Sequence, residues 1–185
     1  NKIAEHSHGA WMFFWNDDAV MTTQDWDQII MAHDGKFALL RAETNHEHPY
    51  AIFPIVPRKW VELTGHLSPH QINDAWVSQV GWMLDIVVNI PVMIDHERYD
   101  LTGKNGDDVY KNRPMLEGNH EHPADFNHVG FRNKRVNDAN KIAWHLERIG
   151  QPSEWFMEVM SGKRDPWEYM FSEEQDPNNQ VRIHD

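Results

Sequence analysis

The stretch Trp11-Met12-Phe13-Phe14-Trp15-Asn16-Asp17-Asp18 runs five large apolar side chains directly into an amide and two carboxylates. Its apolar part is short, aromatic and bounded by Gly9 and Asn16, which predicts a buried strand over Ala10–Trp15. A strand that ends in acidic residues delivers them to the carboxyl edge of a sheet, where open α/β sheets bind ligands. Asn16 and Asp18 are two apart, so their side chains lean to one side if the strand extends that far. Oxygen donors there suit a hard divalent cation whose shell is completed by substrate phosphates. Asn and Asp are also turn formers, and a plain polar turn is the competing reading.

The 185 residues suit one domain, and 40% hydrophobic content with nine Trp and eight Phe is enough for a core. Against 17 Lys and Arg stand 29 Asp and Glu, a formal charge of −12. That field repels phosphate backbones, which excludes broad nucleic-acid binding, and attracts divalent cations. There is no cysteine, hence no disulfide, zinc thiolate or thiol nucleophile, which fits a reducing, cytoplasmic setting. No signal peptide or transmembrane segment is evident. The longest apolar run, Ile86–Ile94, is interrupted by Asn89 and Pro91.

The pattern continues as a short helix over residues 24–32, then strands at Phe37–Arg41 and Ala51–Val56. Pro54 and Pro57 put the second of these near an edge or a bulge. A helix is predicted from Ser68, with Ser68 as cap, Pro69 in the first position and Gln71 completing a capping box. Ile72, Trp76, Val80 and Met83 form its apolar stripe. A strand follows over residues 85–94, then a long polar excursion over 97–133. Helices at Asn137–Ile149, Ser153–Met160 and Asp165–Phe171 complete the tail.

Three further features bear on chemistry. Asp74 sits early in the predicted helix, about 200° round from Ile72. It can face a cleft as a general base, or simply sit solvated near a helix N-terminus. His96 follows a strand and can ligate a metal or take a proton, although one of 13 histidines is weak evidence. His6-Ser7-His8 and the two Asn-His-Glu-His-Pro copies at 45–49 and 119–123 lack the further ligands of a zinc site and read as surface histidines.

Taken in order, residues 9–27, 51–69, 73–76 and 90–108 resemble the catalytic half of a GT-A-type inverting glycosyltransferase, of the compact kind found in bacteria and phages. The resemblance spans roughly residues 1–113; residues 114–185, a polar excursion and helical extension, are not covered. It implies an α/β fold with a mixed sheet flanked by helices and a helical C-terminal tail. It also implies transfer of a sugar from a nucleotide-sugar donor to a glycan or other hydroxyl acceptor, with Mn²⁺ or Mg²⁺. Under it, Asn16-Asp17-Asp18 stands where the family has an Asp-x-Asp element, with Asn16 in place of a carboxylate. Asp18 is then the metal ligand, completed by His96, with Asn16 and Asp17 near ribose or diphosphate. Arg98 and Arg113 become phosphate contacts. Gly65, His66 and Trp76 border the acceptor, and Asp74 is the base.

The family places a nucleotide-binding βαβ half before this strand, whereas the chain begins at Asn1. A longer polypeptide, a separate N-terminal half or a homo-oligomer is expected to supply it. Two other readings stay open. One is a non-catalytic binding module on a decayed transferase fold, with Trp155, Phe156, Trp167 and Phe171 as a docking surface. The other is an HNH-like metal nuclease using the histidines and the basic run near residues 131–141, against which the net charge argues.

Overall fold

The computed structural model describes residues 6–97 and 126–165. Along them run β1 (Trp11–Phe13), β2 (Ala19–Met21), α1 (Trp26–Met31), β3 (Leu39–Thr44), β4 (Pro54–Pro57), α2 (Arg58–Thr64), α3 (Asn73–Met83), β5 (Val87–His96), α4 (Val129–Arg148) and α5 (Glu154–Met160). The strands form one mixed sheet in the order β1-β4-β3-β5-β2. β3 and β5 are parallel; the other pairs are antiparallel. The expected α/β architecture, a mixed sheet flanked by helices, is therefore present.

The two edge strands, β1 and β2, are joined by Phe14–Asp18 alone. Such a link reaches about 20 Å at most. Five flat strands would set the edges about 19 Å apart, leaving no slack for the turn at Asp17-Asp18. The sheet curls instead. Trp15 folds over its concave side, against Phe13 at 5.3 Å and Phe53 at 5.7 Å. Leu40, Ile55, Ile90 and Ile94 form the core of that side with Phe53, and Trp11, Phe13 and Met21 pack against it. α1 adds Ile30 to this core, while Trp26 stays 37% exposed rather than inward.

The segment 10–15 was expected as a buried central strand; it forms only three residues of ladder, at the sheet's edge. Trp11 and Phe13 pack into the concave core and Met12 and Phe14 into the opposite one, so the aromatic run serves two faces. Phe14 N–H still donates to Pro54 O at 3.1 Å, but Trp15 leaves the ladder and is 44% exposed. β4, expected near an edge, is interior instead, between β1 and β3. Its prolines stand at the two ends of the strand, so they terminate it without removing donors from its centre. In β5, Pro91 sits where the register with β3 shifts: Ala42 opposes Ile90, and Glu43 opposes Met93. A residue without an N–H is tolerated at such an irregularity.

α3 begins at Asn73, not near Ser68. The Ser68 hydroxyl instead donates to His70 O and accepts His70 N–H, and His70 Nδ1 accepts Ile72 N–H. Those local bonds compete with helix formation and consume the cap. From Ala75 to Gly81 the helix is buried all round, because the sheet lies on one side and α4 on the other. α4 starts eight residues before the predicted Asn137 (137 − 129 = 8), at a His128 side chain that accepts Gly130 N–H. It ends as expected at Gly150, whose φ of 76° suits glycine. α5 is capped by Ser153, as expected. Ile142, Leu146, Trp155 and Phe156 from these two helices join Trp76, Val80 and Met83 in one core. Trp167 and Phe171, with nearly all of the predicted helix at 165–171, lie outside the described residues. Among those described, no helix is long and apolar enough to cross a membrane.

Gly81 marks the closest approach of α3 to the sheet. A Cβ there would stand 2.7 Å from Leu39 Cδ2 and 3.1 Å from Val87 Cγ2. Leu39 is fully buried and cannot swing away. Gly81→Ala should therefore destabilise the fold by about 1–3 kcal/mol. In a thermal melt that is a loss of about 3–10 °C.

Candidate functional site

At the carboxyl end of the parallel pair, two of the expected metal ligands meet. His96 is the last residue of β5, opposite Ala19 of β2. This register brings the preceding residue, Asp18, alongside, with His96 Nε2 3.3 Å from Asp18 Oδ2. The backbone locks the meeting: Glu97 N–H donates to Asp18 O at 2.7 Å. Asn45, just past the end of β3, accepts His96 N–H through its side-chain oxygen at 2.9 Å. Phe53 meets the imidazole edge-on at 5.0 Å. Both rings are buried.

Asp18 Oδ1 is buried and has no hydrogen-bond partner among the described residues. An unsatisfied carboxylate oxygen beside an imidazole nitrogen is a donor set that a divalent cation fits. It is a partial set. Among the described residues no group of three or more His, Asp or Glu side chains is placed to hold a metal. Substrate oxygens or water would have to complete the shell. Asn16 and Asp17 are exposed in the turn just before Asp18. Arg98 and Arg113 lie outside the described residues.

A second polar cluster lies on the opposite face of the sheet, under α4. Gly65 ends α2 with a φ of 84°, a left-handed cap that turns the chain toward His66. His66 Nε2 stands 3.5 Å from Asp138 Oδ1. Trp76 is fully buried, and its indole N–H donates to Asp138 Oδ2 at 3.1 Å. Trp76 thus holds Asp138 rather than presenting a ring to the surface. Burial pushes the Asp138 carboxyl up to about 6, against the opposing pull of the Trp76 hydrogen bond and of Lys141 and Lys134. Burial, with the same two lysines, pushes the His66 imidazole down. Beside them, Arg135 is fully buried, packs 4.1 Å over the Phe126 ring and donates to Phe126 O.

Asp74 is half-buried in the first turn of α3. The C-terminus of that helix runs into the amino end of β5, with Ile86 N–H bonded to Gly81 O. Its first turn is therefore directed away from the amino ends of the strands, toward the edge that carries Asp18 and His96. The fold thus brings Asp18 to His96 and, on the opposite face, His66 to Trp76, whose helix Asp74 opens.

No protein-family profile, curated protein or solved structure matches this chain. Geometry is therefore the ground for a functional reading.

Asp138 and Arg135 are absent from the sequence-based set. Starting the tail helix at Asn137 makes Asp138 a solvated first-turn residue. With the helix starting at Val129, Arg135 and Asp138 fall in register with Ile142 and Leu146 on the buried stripe, a periodicity already present in the sequence.

The raised Asp138 pKa has a sign that can be measured. Its contribution to stability is fully present below about pH 4 and lost as pH rises to about 6. His66 acts oppositely, losing stability as pH falls below its ordinary range, but that slope is shared with an Asp138 variant. The stability of the native chain relative to Asp138→Asn should fall by on the order of 3 kcal/mol between pH 4 and pH 7. Urea unfolding of both chains at the two pH values measures the difference.

Proposed function

We propose that the chain is a metal-dependent, GT-A-type glycosyltransferase that moves a sugar from a nucleotide-sugar donor to a hydroxyl acceptor. The supporting observation is the meeting of Asp18 and His96 at the carboxyl end of the parallel β3–β5 pair, with one Asp18 oxygen lacking a hydrogen-bond partner among the described residues. Asp18 and His96 would hold Mn²⁺ or Mg²⁺, which when bound neutralises and orients the leaving diphosphate. Asn16 and Asp17, exposed beside them, would bond ribose or diphosphate groups, and Arg98 and Arg113 the phosphates.

In the transfer step Asp74 takes the proton of the acceptor hydroxyl. The acceptor oxygen bonds to the anomeric carbon, and the bond to the phosphate oxygen breaks, its electron pair leaving with the diphosphate. Gly65 turns the chain beside the acceptor. His66, kept neutral by its buried surroundings, is a hydrogen-bonding group there, and buried Trp76 supports it through Asp138. The same Asp18 and His96 would give a non-catalytic module its cation, so activity separates the two readings.

Calorimetric titration with Mn²⁺ and UDP or GDP tests the site. Asp18→Ala and His96→Ala should each weaken Mn²⁺ binding at least tenfold, about the loss expected for a metal ligand or its close support. Asp74→Asn should leave Mn²⁺ and nucleotide binding intact and lower sugar transfer by about 10²–10⁴-fold. Unchanged Mn²⁺ binding by Asp18→Ala would remove the basis of the proposal.

A further inference from the structure

On the face away from Asp18 and His96, α2 and α4 leave a groove of about 350 Å³ between them. Lys59 of α2 and Lys141, His145 and Arg148 of α4 line it, with Trp144 and Ile149 at its apolar margin. Three fixed cations around one cavity are unexpected in a chain of charge −12. Among the described residues two carboxylates act on the set: Glu62, bonded to Lys59 at 2.8 Å, and Asp138, which feels the charge of Lys141. Among the described residues Lys141 makes its hydrogen bond to a backbone oxygen, that of Thr64, at 3.3 Å. The side chains of Arg148 and His145 make no hydrogen bond or ion pair among the described residues. The imidazole of His145 only packs on the Phe37 ring at 5.4 Å.

Helix capping does not explain this arrangement. Cations are favoured in a last helical turn, but backbone donors already close the end of α4. Ile149 N–H bonds His145 O, Gly150 N–H bonds Glu147 O, and Gln151 N–H bonds Leu146 O, at 2.8–3.1 Å. Nor does the helix end account for Lys59, which approaches from another helix. The cations oppose one another: after burial, Lys59 and Arg148 are the next causes that hold the His145 imidazole below its ordinary value, with Glu62 pulling the other way. An anion seated among them would relieve the repulsion.

The apolar margin narrows the class of anion. Trp144 is 55% exposed, yet its ring is braced edge-on by Phe156 at 5.6 Å. A fixed, solvent-facing indole beside a cationic groove offers an apolar face to a ring and charge to its substituent. The guanidinium of Arg148 can grip two oxygens of one phosphate, and Lys59 and Lys141 add point charges. The volume fits a small molecule and not a polymer groove. We propose that the α2–α4 groove binds a phosphate monoester carried on a sugar-like ring, with Arg148 and Lys141 on the phosphate and Trp144 under the ring. The site stands independently of the transferase reading.

Calorimetry with glucose 6-phosphate, inorganic phosphate and glucose on the native chain tests it. Glucose 6-phosphate should bind at least tenfold more tightly than either of the other two. Arg148→Ala should weaken it at least tenfold. Trp144→Ala should bring glucose 6-phosphate and inorganic phosphate to within about threefold of each other. Both side chains are exposed, and circular dichroism and thermal melts check that the variants fold. Vesicles containing phosphatidylinositol 4-phosphate test a lipid source of the same chemistry, and binding to them that glucose 6-phosphate displaces supports the site. Equal binding of glucose and glucose 6-phosphate, full affinity in Arg148→Ala, or preference for a poly-glutamate peptide would each overturn it.

Discussion

The parallel pairing of β3 with β5 is the constraint from which the rest of the molecule follows. Parallel neighbours cannot be joined by a hairpin, so the chain between them must cross over. Here the crossover contains β4, α2 and α3, and it places α3 flat on one face. Both strands then end at the same edge, where Asn45 and His96 emerge side by side. The irregularity at Pro91 matters for the same reason. It shifts β5 along β3 by two residues (93 − 90 = 3 on β5 against 43 − 42 = 1 on β3) and so sets how far His96 projects beyond the ladder.

The sheet also insulates two polar groups with opposite solutions to burial. Asp18 and His96 sit at an edge, with one buried Asp18 oxygen left without a hydrogen-bond partner among the described residues. Asp138 and Arg135 sit inside the helical layer, where each unpaired charge costs several kcal/mol. Arg135 is accommodated by aromatic faces and a carbonyl, whereas Asp138 has an indole donor and an imidazole neighbour. A carboxyl held near 6 is the residue of that compromise.

Much of the architecture was legible from periodicity and breakers. Gly150 and Ser153 mark helix ends correctly, and the stripe Trp76, Val80 and Met83 is core. His96 was legible as a strand-end residue, whereas Asp18 lies in the turn that enters β2, five residues past the end of β1 (18 − 13 = 5), and their approach across β2 and β5 follows from a register that no local pattern encodes. The misplaced elements share one cause, competition between local and tertiary demands. Ser68 looks like a cap but its hydroxyl is taken by His70, and Pro54 looks like an edge signal but ends an interior strand. The aromatic run at 11–15 looks central because its hydrophobicity is that of a strand buried on both faces, a condition an edge strand also meets when helices and a folded-back loop cover it. Asp138 and Arg135 were missed because a helix boundary placed eight residues late turns a buried stripe into a solvated turn.

The link Phe14–Asp18 has a kinetic consequence. It ties the candidate metal ligand to β1, a strand of three residues that pairs on one side only, as elements of low local stability do. Opening of β1 would free Trp15 and slacken the segment that positions Asp18. Occupancy of the Asp18–His96 edge by a cation, as proposed, would then be coupled to the pairing of β1. A cation bound at one edge of the sheet would then slow amide exchange at the other.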